Sequence, residues 1–232
     1  MRPDDGLEVP RYDGIADWYD DVFARYGDLS DPLSSSSQLA ELLGRGAGLC
    51  LDVGCGGGLH HKAIMSTGRA VIGVDLSRDQ LQVARGRTRD LVRASAYRLP
   101  FPNASFPTVV STYLHTDIPD IGPVLAEVNR VLRSGGTFVY VGVHPCFWGH
   151  FVENPHLPDR IVHAGYLETG WVESPYWRNP DGLRAKVGAR HVTISELVNA
   201  FIGAGLKIEK VAELPDGSGH ADRIGIVSTR WD

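Results

Sequence analysis

A glycine-rich segment, LCLDVGCGGG at residues 49–58, directly follows apolar residues that favour a buried strand. The next apolar segment, VIGVD, ends in Asp75, about twenty residues after Gly54. Glycines at a strand end allow backbone amide groups to approach a ligand closely, and a following helix start favours an anionic group. An acid at the end of the next strand can bind ribose hydroxyls. The glycine run therefore predicts that a ligand comes close to the backbone of this loop.

Two common glycine loops do not fit this segment. A P-loop requires a lysine after its last glycine, but Gly58 is followed by Leu59 and His60. A dinucleotide-binding loop requires G-x-G-x-x-G; Gly54 and Gly56 match it, but the third position is Leu59. The sequence therefore excludes a P-loop and disfavours a nicotinamide cofactor.

Apolar segments and amphipathic segments alternate along the chain and predict the elements that position this loop. The predicted strands are 49–53, 70–75, 91–94, 108–112, 137–143, 206–214 and 223–230. The predicted helices are 59–67, 77–87, 119–133 (closed by Gly135 and Gly136), 193–205 and one that begins near Gln38. Near-continuous apolar strands indicate a parallel sheet covered on both faces. We predict an α/β, doubly wound, seven-stranded sheet, mostly parallel with an antiparallel C-terminal strand.

The chain is predicted to form a single domain of four parts. They are an N-terminal cap (1–35), a cofactor-binding core (36–143), an insertion after the fifth strand (144–192), and a C-terminal helix with a β-hairpin (193–232). The insertion is rich in aromatic residues, which are typical of a lid over a flat or apolar molecule. Four of them are predicted substrate contacts: Trp148, Phe151, Trp171 and Trp177. A self-packing subdomain and a dimer contact are the alternatives.

Composition narrows the class of protein. The 232 residues carry a net charge of −5 and are 43% hydrophobic, which favours a packed core and disfavours nucleic acid as the main partner. The sequence has three cysteines, and its opening residues carry no apolar signal segment. We therefore expect a reduced, cytoplasmic protein without a membrane span or a metal site. A homodimer is left open.

The pattern D-x-G-x-G-x-G, formed by Asp52, Gly54, Gly56 and Gly58, resembles motif I of the class I S-adenosylmethionine-dependent methyltransferases. Further segments resemble the family in the same order: VIGVDLS (71–77), RASAYRLPFPNASF (93–106), VVSTYLHTDIPD (109–120) and EVNRVLRSGGTFVYVG (127–142). YDGIADWYDDVF (12–23) is similar to the N-terminal helical cap of the ubiquinone-biosynthesis-like (type 11), small-molecule branch. The resemblance implies a Rossmann-like fold and S-adenosylmethionine as cofactor.

The resemblance also implies a set of cofactor-binding residues. They are Tyr12, Tyr19, Asp52, Gly54, Cys55, Gly56, Gly58, Asp75, Leu76, Ser95, Ala96, Ser111 and Thr112. Asp75 is expected to bind the ribose, and Asp52 the ammonium group. One segment departs from the family: many relatives have Gly-Asp-Ala before Leu-Pro-Phe, where the acid binds the adenine amino group. This chain has Ala94, Ser95 and Ala96 there, which predicts a weaker contact with adenine.

Methyl transfer is an in-line displacement in which the cofactor carries a cationic leaving group. The protein holds the acceptor in line, and a phenol or alcohol acceptor also benefits from a general base. The candidate catalytic residues are His115, His144 and Tyr19. Each has a structural alternative: His115 in shaping the loop after the fourth strand, His144 as a loop histidine, and Tyr19 as core packing.

The sequence therefore predicts methyl transfer to a small molecule, with an aromatic or apolar metabolite as the expected acceptor. The alternative is a protein of the same fold that binds the cofactor without transferring a methyl group, as a regulator or scaffold. The intact Asp52, the three motif glycines and Asp75 favour the enzyme, whereas the Ala94–Ala96 segment favours the alternative.

Overall fold

A computed structural model describes residues 10–153, 159–172, 181–217 and 219–231. The strands of its central sheet are β1 (Leu49–Val53), β2 (Ala70–Asp75), β3 (Leu91–Arg93), β4 (Phe106–Thr112) and β5 (Leu132–Val143), followed near the C-terminus by two more. Between these groups lie four short strands, β6 (Val152–Glu153), β7 (Ile161–Val162), β8 (Gly170–Val172) and β9 (Ala189–His191). The last two strands of the sheet are β10 (Leu206–Pro215) and β11 (Ala221–Arg230).

The strand order of the central sheet is β10-β11-β5-β4-β1-β2-β3. Strands β1 to β5 pair in parallel, and β11 is antiparallel to both of its neighbours, β5 and β10. The chain builds the sheet outward from β1 through β2 and β3, then returns to add β4 on the other side of β1. The predicted doubly wound sheet with an antiparallel C-terminal strand is confirmed.

Helices cover both faces of the sheet. They are α1 (Ala16–Phe23), α2 (Ser35–Leu43), α3 (His61–Ser66), α4 (Arg78–Ala84), α5 (Gly122–Val131), α6 (Leu183–Val187) and α7 (Ile194–Gly203). Apolar residues of α5 and α7 pack in one core cluster, and those of α2 and α3 pack in another. Successive strand residues alternate between the two: Leu51 belongs to the first cluster and Cys50 to the second. This alternation follows from the two-residue period of a strand.

Hydroxyl side chains begin three of the helices. Ser34 accepts a hydrogen bond from the Ser37 amide, Ser77 from the Gln80 amide, and Thr193 from the Glu196 amide. Such N-caps satisfy amide groups that have no partner within the helix. The cap at Ser77 is as predicted, but α2 begins three residues before the predicted Gln38.

The junction between α5 and β5 corrects the sequence prediction. The helix was expected to run to residue 133 and to close at Gly135 and Gly136, but it ends at Val131. Leu132 is already extended and pairs with Phe106 of β4. The glycine pair instead lies in an irregularity of β5, where the register shifts between the pairs Phe106–Leu132 and Thr108–Thr137. Gly135 has φ of 66° there, which explains the glycine without a helix cap.

The insertion at 144–192 contains more regular structure than its sequence predicted. Strands β6 and β7 form one antiparallel pair, β8 and β9 form a second, and α6 lies between β8 and β9 in the sequence. Within the described ranges, no helix has the length and apolar character needed to cross a membrane.

Candidate functional site

A cavity lies at the carboxyl ends of β1, β2 and β4, beneath the segment that leads into α1. Strand order reverses between β1 and β4, and ligands of open α/β sheets bind at such a reversal. The cavity encloses about 1250 Å³, counting the part that is open to solvent.

The glycine loop forms the floor of the cavity. Gly54 and Gly56 line it with φ of 72° and 51°, values that side chains with a Cβ rarely adopt. A Cβ at Gly54 would lie 2.9 Å from Leu114 Cδ1. The loop therefore needs glycine for its backbone conformation and for space.

Asp75 connects the loop to β2. Its Oδ2 accepts a hydrogen bond from the Gly56 amide and its Oδ1 one from the Ser77 amide, each at 2.8 Å. Burial raises the pKa of the Asp75 carboxyl to about 6, against the opposing effect of these two hydrogen bonds. Each oxygen keeps a lone pair for a ligand, so Asp75 can hold the loop and accept a ligand hydroxyl together.

Two tyrosines of the N-terminal segment face the glycine loop across the cavity. Tyr12 and Tyr19 pack edge to face, with ring centroids 5.3 Å apart. Burial and the nearby Asp117 carboxylate raise the pKa of both phenols, which keeps them neutral. Asp117 lines the cavity and pairs with Arg184 Nη1 at 2.6 Å, while Arg184 Nη2 donates to Thr116 Oγ1 at 2.9 Å. An aromatic wall with one carboxylate suits a cationic group such as a sulfonium.

The wall at the end of β4 contains a strained residue and a histidine. Tyr113 has φ of 60°, the left-handed region, and conformations of this kind cluster at functional sites. His60 lies between Ser35 Oγ at 2.9 Å from Nε2 and Thr112 Oγ1 at 3.3 Å from Nδ1. Burial lowers the pKa of His60 to about 4, so the ring is neutral near pH 7 and positions its neighbours.

The structure brings nine of the thirteen predicted cofactor residues together around the cavity. These nine are Tyr12, Tyr19, Gly54, Cys55, Gly56, Asp75, Leu76, Ala96 and Thr112. The other four do not line it: they are Asp52, Gly58, Ser95 and Ser111.

Each of these four residues lies close to the cavity and faces elsewhere. Asp52 is buried beneath the loop with Oδ2 3.3 Å from His61 Nε2. Ser111 Oγ donates to the Val53 carbonyl at 2.8 Å, and Ser95 Oγ accepts from the Tyr97 amide at 3.0 Å. A Cβ at Gly58 would lie 2.8 Å from His61 Nδ1, so this glycine makes room for the buried histidine.

Neither histidine predicted as catalytic lines the cavity. His115 is 2% exposed, its Nδ1 is hydrogen-bonded to the Tyr140 hydroxyl, and burial lowers its pKa to about 3. His144 Nε2 lies 3.3 Å from Glu213 Oε1, and its Nδ1 accepts a hydrogen bond from the Cys146 amide at 3.2 Å. Tyr19 is thus the one of the three catalytic candidates that lines the cavity.

Three of the four predicted substrate contacts, Trp148, Phe151 and Trp171, do not line the cavity. Phe151 is buried against Tyr166 and His191, and Trp148 Nε1 donates to Asp222. Trp171 packs under the Arg11 guanidinium, whose Cζ lies 4.2 Å from the ring centroid. The fourth predicted contact, Trp177, lies outside the described residues.

Sequence reasoning missed several polar residues of the cavity wall. They are Arg11, Gln80, Tyr113 and Asp117. Gln80 follows the N-cap Ser77 by three residues, so the two side chains lie on the same face of α4. This spacing could have predicted that Gln80 lies near the cavity. In the part of the chain that the structure describes, no group of three or more His, Cys, Asp or Glu residues could hold a metal ion.

The fold and this geometry agree with comparisons to known proteins. A family model described as "Methyltransferase domain" matches residues 51–140, which contain the glycine loop, Asp75 and the end of β4. A crystal structure of an S-adenosylmethionine-dependent methyltransferase from Mesorhizobium loti has a TM-score of 0.68 at 25% identity. The alignment covers 83% of this chain and 96% of the chain in that crystal structure.

Two curated relatives are demethylmenaquinone methyltransferases. The one from Staphylococcus saprophyticus is 30% identical over 196 residues, 74% of this chain and 84% of the relative. The one from Tropheryma whipplei is 36% identical over 93 residues, so this chain spans only 39% of its length. The chain belongs to the class I S-adenosylmethionine-dependent methyltransferases, in the type 11 family.

Proposed function

We propose that this protein transfers a methyl group from S-adenosylmethionine to a small molecule, and that the acceptor is aromatic or apolar. The observation that carries the proposal is the meeting of the glycine loop, Asp75 and the Tyr12–Tyr19 pair around one cavity. A cationic cofactor with a ribose needs a close backbone approach, a hydroxyl acceptor and an aromatic surface, and these residues supply all three.

Different residues around the cavity would bind different parts of the cofactor. Asp75 would accept hydrogen bonds from the ribose hydroxyls, and Leu76, Ala94 and Ala96 would flank the adenine. The aromatic rings of Tyr12 and Tyr19 would face the sulfonium. The bound cofactor supplies an activated methyl group on a cationic leaving group. The protein then orients the acceptor, excludes water and leaves proton loss to the acceptor or to solvent.

We also propose that the insertion, 144–192, helps to cover the acceptor end of the cavity. Three contacts support this: Arg184 pairs with Asp117, Trp171 packs on Arg11, and Lys186 Nζ lies 5.0 Å from the Trp18 ring centroid. Two of the partners, Arg11 and Asp117, line the cavity. The two demethylmenaquinone methyltransferases act, by their names, on a quinone, a flat molecule of the kind that such a cover accommodates.

Calorimetric titration with S-adenosylhomocysteine tests the cofactor, with NAD as the control ligand. We expect micromolar binding of the first and none of the second. Incubation with labelled S-adenosylmethionine and a panel of phenols, quinols and aromatic amines then tests transfer, read as label in the organic phase. Binding of NAD alone would contradict the cofactor. Binding without transfer to any acceptor would favour the non-catalytic regulator or scaffold.

A further inference from the structure

The side chain of Gln80 is buried at the cavity wall, where no residue that the structure describes pairs with its polar atoms. Its residue is 2% exposed, and neither Nε2 nor Oε1 has a hydrogen-bond partner among the residues that the structure describes. The backbone amide of Gln80 is used by the Ser77 cap, so the orphaned atoms belong to the side chain alone. A buried polar group without a partner costs about 1–3 kcal/mol. A side chain with two such atoms is therefore an exception that needs a reason.

The position of Gln80 points to a ligand as the reason. It lines the same cavity as Asp75 and the glycine loop. Its Oε1 would lie 3.4 Å from a Cβ at Gly56 and 3.3 Å from one at Gly57, so the amide rests against the loop.

We propose that Gln80 binds a hydroxyl-bearing part of the cofactor, the ribose, through its side-chain amide. An amide donates and accepts at once, and a hydroxyl is its natural complement because it also does both. The ionised Asp75 carboxylate nearby can only accept, so Gln80 adds a side-chain donor beside it. The inference rests on the proposed function, since it requires an S-adenosyl cofactor in this cavity.

A ligand-binding role for Gln80 predicts a change in stability that a purely structural role does not. If Gln80 serves a ligand, the ligand-free protein carries the cost of its unpaired amide. Gln80→Met keeps the length of the side chain and removes both polar atoms. We therefore expect the variant to melt about 2–4 °C higher than the wild type without ligand. We also expect it to bind S-adenosylhomocysteine about tenfold more weakly, as for the loss of one to two hydrogen bonds.

The test is a pair of measurements on three proteins: melting temperature without ligand, and calorimetric affinity for S-adenosylhomocysteine. Gln82→Met is the matched control, because Gln82 lies on the same helix, is exposed and bonds only Arg85 in the described structure. It should change neither quantity. The 2′-deoxy and 3′-deoxy analogues add a second readout: the affinity lost with a missing hydroxyl should be smaller in Gln80→Met than in the wild type.

The outcomes separate this inference from the proposed function. A Gln80→Met protein that binds as tightly as the wild type, or that discriminates the deoxy analogues equally well, overturns the role of Gln80 and leaves the cofactor assignment in place. A lower melting temperature would also contradict it, because it would show that the amide stabilises the ligand-free protein. Absence of binding by the wild type would overturn both proposals.

Discussion

The floor and the cover of the cavity are built in different ways. The floor consists of the glycine loop and Asp75. Backbone hydrogen bonds join the ends of β1 and β2, because the Gly54 and Cys55 amides donate to the Val74 carbonyl at 2.8 and 3.0 Å. The Gly56 and Ser77 amides donate to the Asp75 carboxylate. The cover consists of the segment from Pro10 through α1, and it is held by side chains. Asp13 accepts from Ser77 Oγ at 2.6 Å, and Asp20 pairs with Arg87 at 2.8 Å.

This difference predicts which parts of the site tolerate substitution. Backbone contacts in a buried sheet require one conformation, so the floor tolerates little change. The cover rests on partly exposed ionic and cation–π contacts, each of which contributes little alone. We expect substitutions in the floor to weaken cofactor binding strongly and substitutions in the cover to weaken it only slightly or moderately. The predictions below test this contrast in order of decreasing effect.

Gly54→Ala should have the largest effect. The new Cβ would require φ near 72° and would lie 2.9 Å from Leu114 Cδ1 at the edge of the cavity. We expect the affinity for S-adenosylhomocysteine to fall about 100-fold by calorimetry. Gly203→Ala is the control, since a Cβ there meets nothing within 4 Å. A loss of less than about threefold at Gly54 would remove the contrast between floor and cover.

The pH dependence of binding should report on Asp75. Its pKa of about 6 in the ligand-free protein means that the carboxylate must ionise to accept ligand hydroxyls fully. We expect affinity to fall as the pH decreases from 7.5 to 5, approaching about tenfold per unit below pH 6. Asp75→Asn should remove this dependence.

The stability of the ligand-free protein should respond to Asp75 in the opposite direction. Because the folded pKa lies above the value for an unfolded aspartate, the contribution of this group to stability is full below pH ~4 and is lost as the pH rises through about 6. Subtracting the stability profile of Asp75→Asn from that of the wild type isolates this term. A difference that grows with pH would contradict the assignment.

Arg184→Met should have a moderate effect on the cover. It removes the 2.6 Å pair with Asp117 and the bond to Thr116. We expect about three- to fivefold weaker binding of S-adenosylhomocysteine, together with faster amide hydrogen exchange in residues 10–27. Arg85→Met is the control, because Arg85 is exposed directly after the end of α4 and bonds Gln82. Unchanged amide hydrogen exchange in residues 10–27 would mean that the insertion does not hold the cover in place.

Lys186→Met should have the smallest effect. It removes an exposed cation–π contact with Trp18 of α1, and such contacts are weak in water. We expect less than a twofold change in affinity. Lys207→Met removes a similar contact with Trp231, whose ring centroid lies 6.0 Å from Lys207 Nζ on β10, away from the cavity. A tenfold loss of affinity in Lys186→Met, with no loss in Lys207→Met, would contradict the contrast between floor and cover, because one exposed contact would then matter about as much as the floor.

The sequence determined the fold and the floor of the site. Near-continuous apolar segments specified the central strands, because a parallel sheet covered on both faces buries successive residues of a strand. Gly54 and Asp75 could be identified because their roles depend on position relative to a strand end, which is a local property. The end of α5 could not be placed, because Gly135 and Gly136 are compatible with both a helix cap and a strand irregularity.

Only the tertiary structure decided what surrounds the floor. The sequence predicted His115 as a catalytic candidate, and packing places its ring against Tyr140 instead of in the cavity wall. It gave no sign that Arg184 would pair with Asp117 across 67 positions of the chain. The physical reason is that burial and long-range pairing are set by which elements meet in space. Chain-local patterns therefore fix strands, caps and glycine turns, whereas the partners of a side chain depend on the assembled fold.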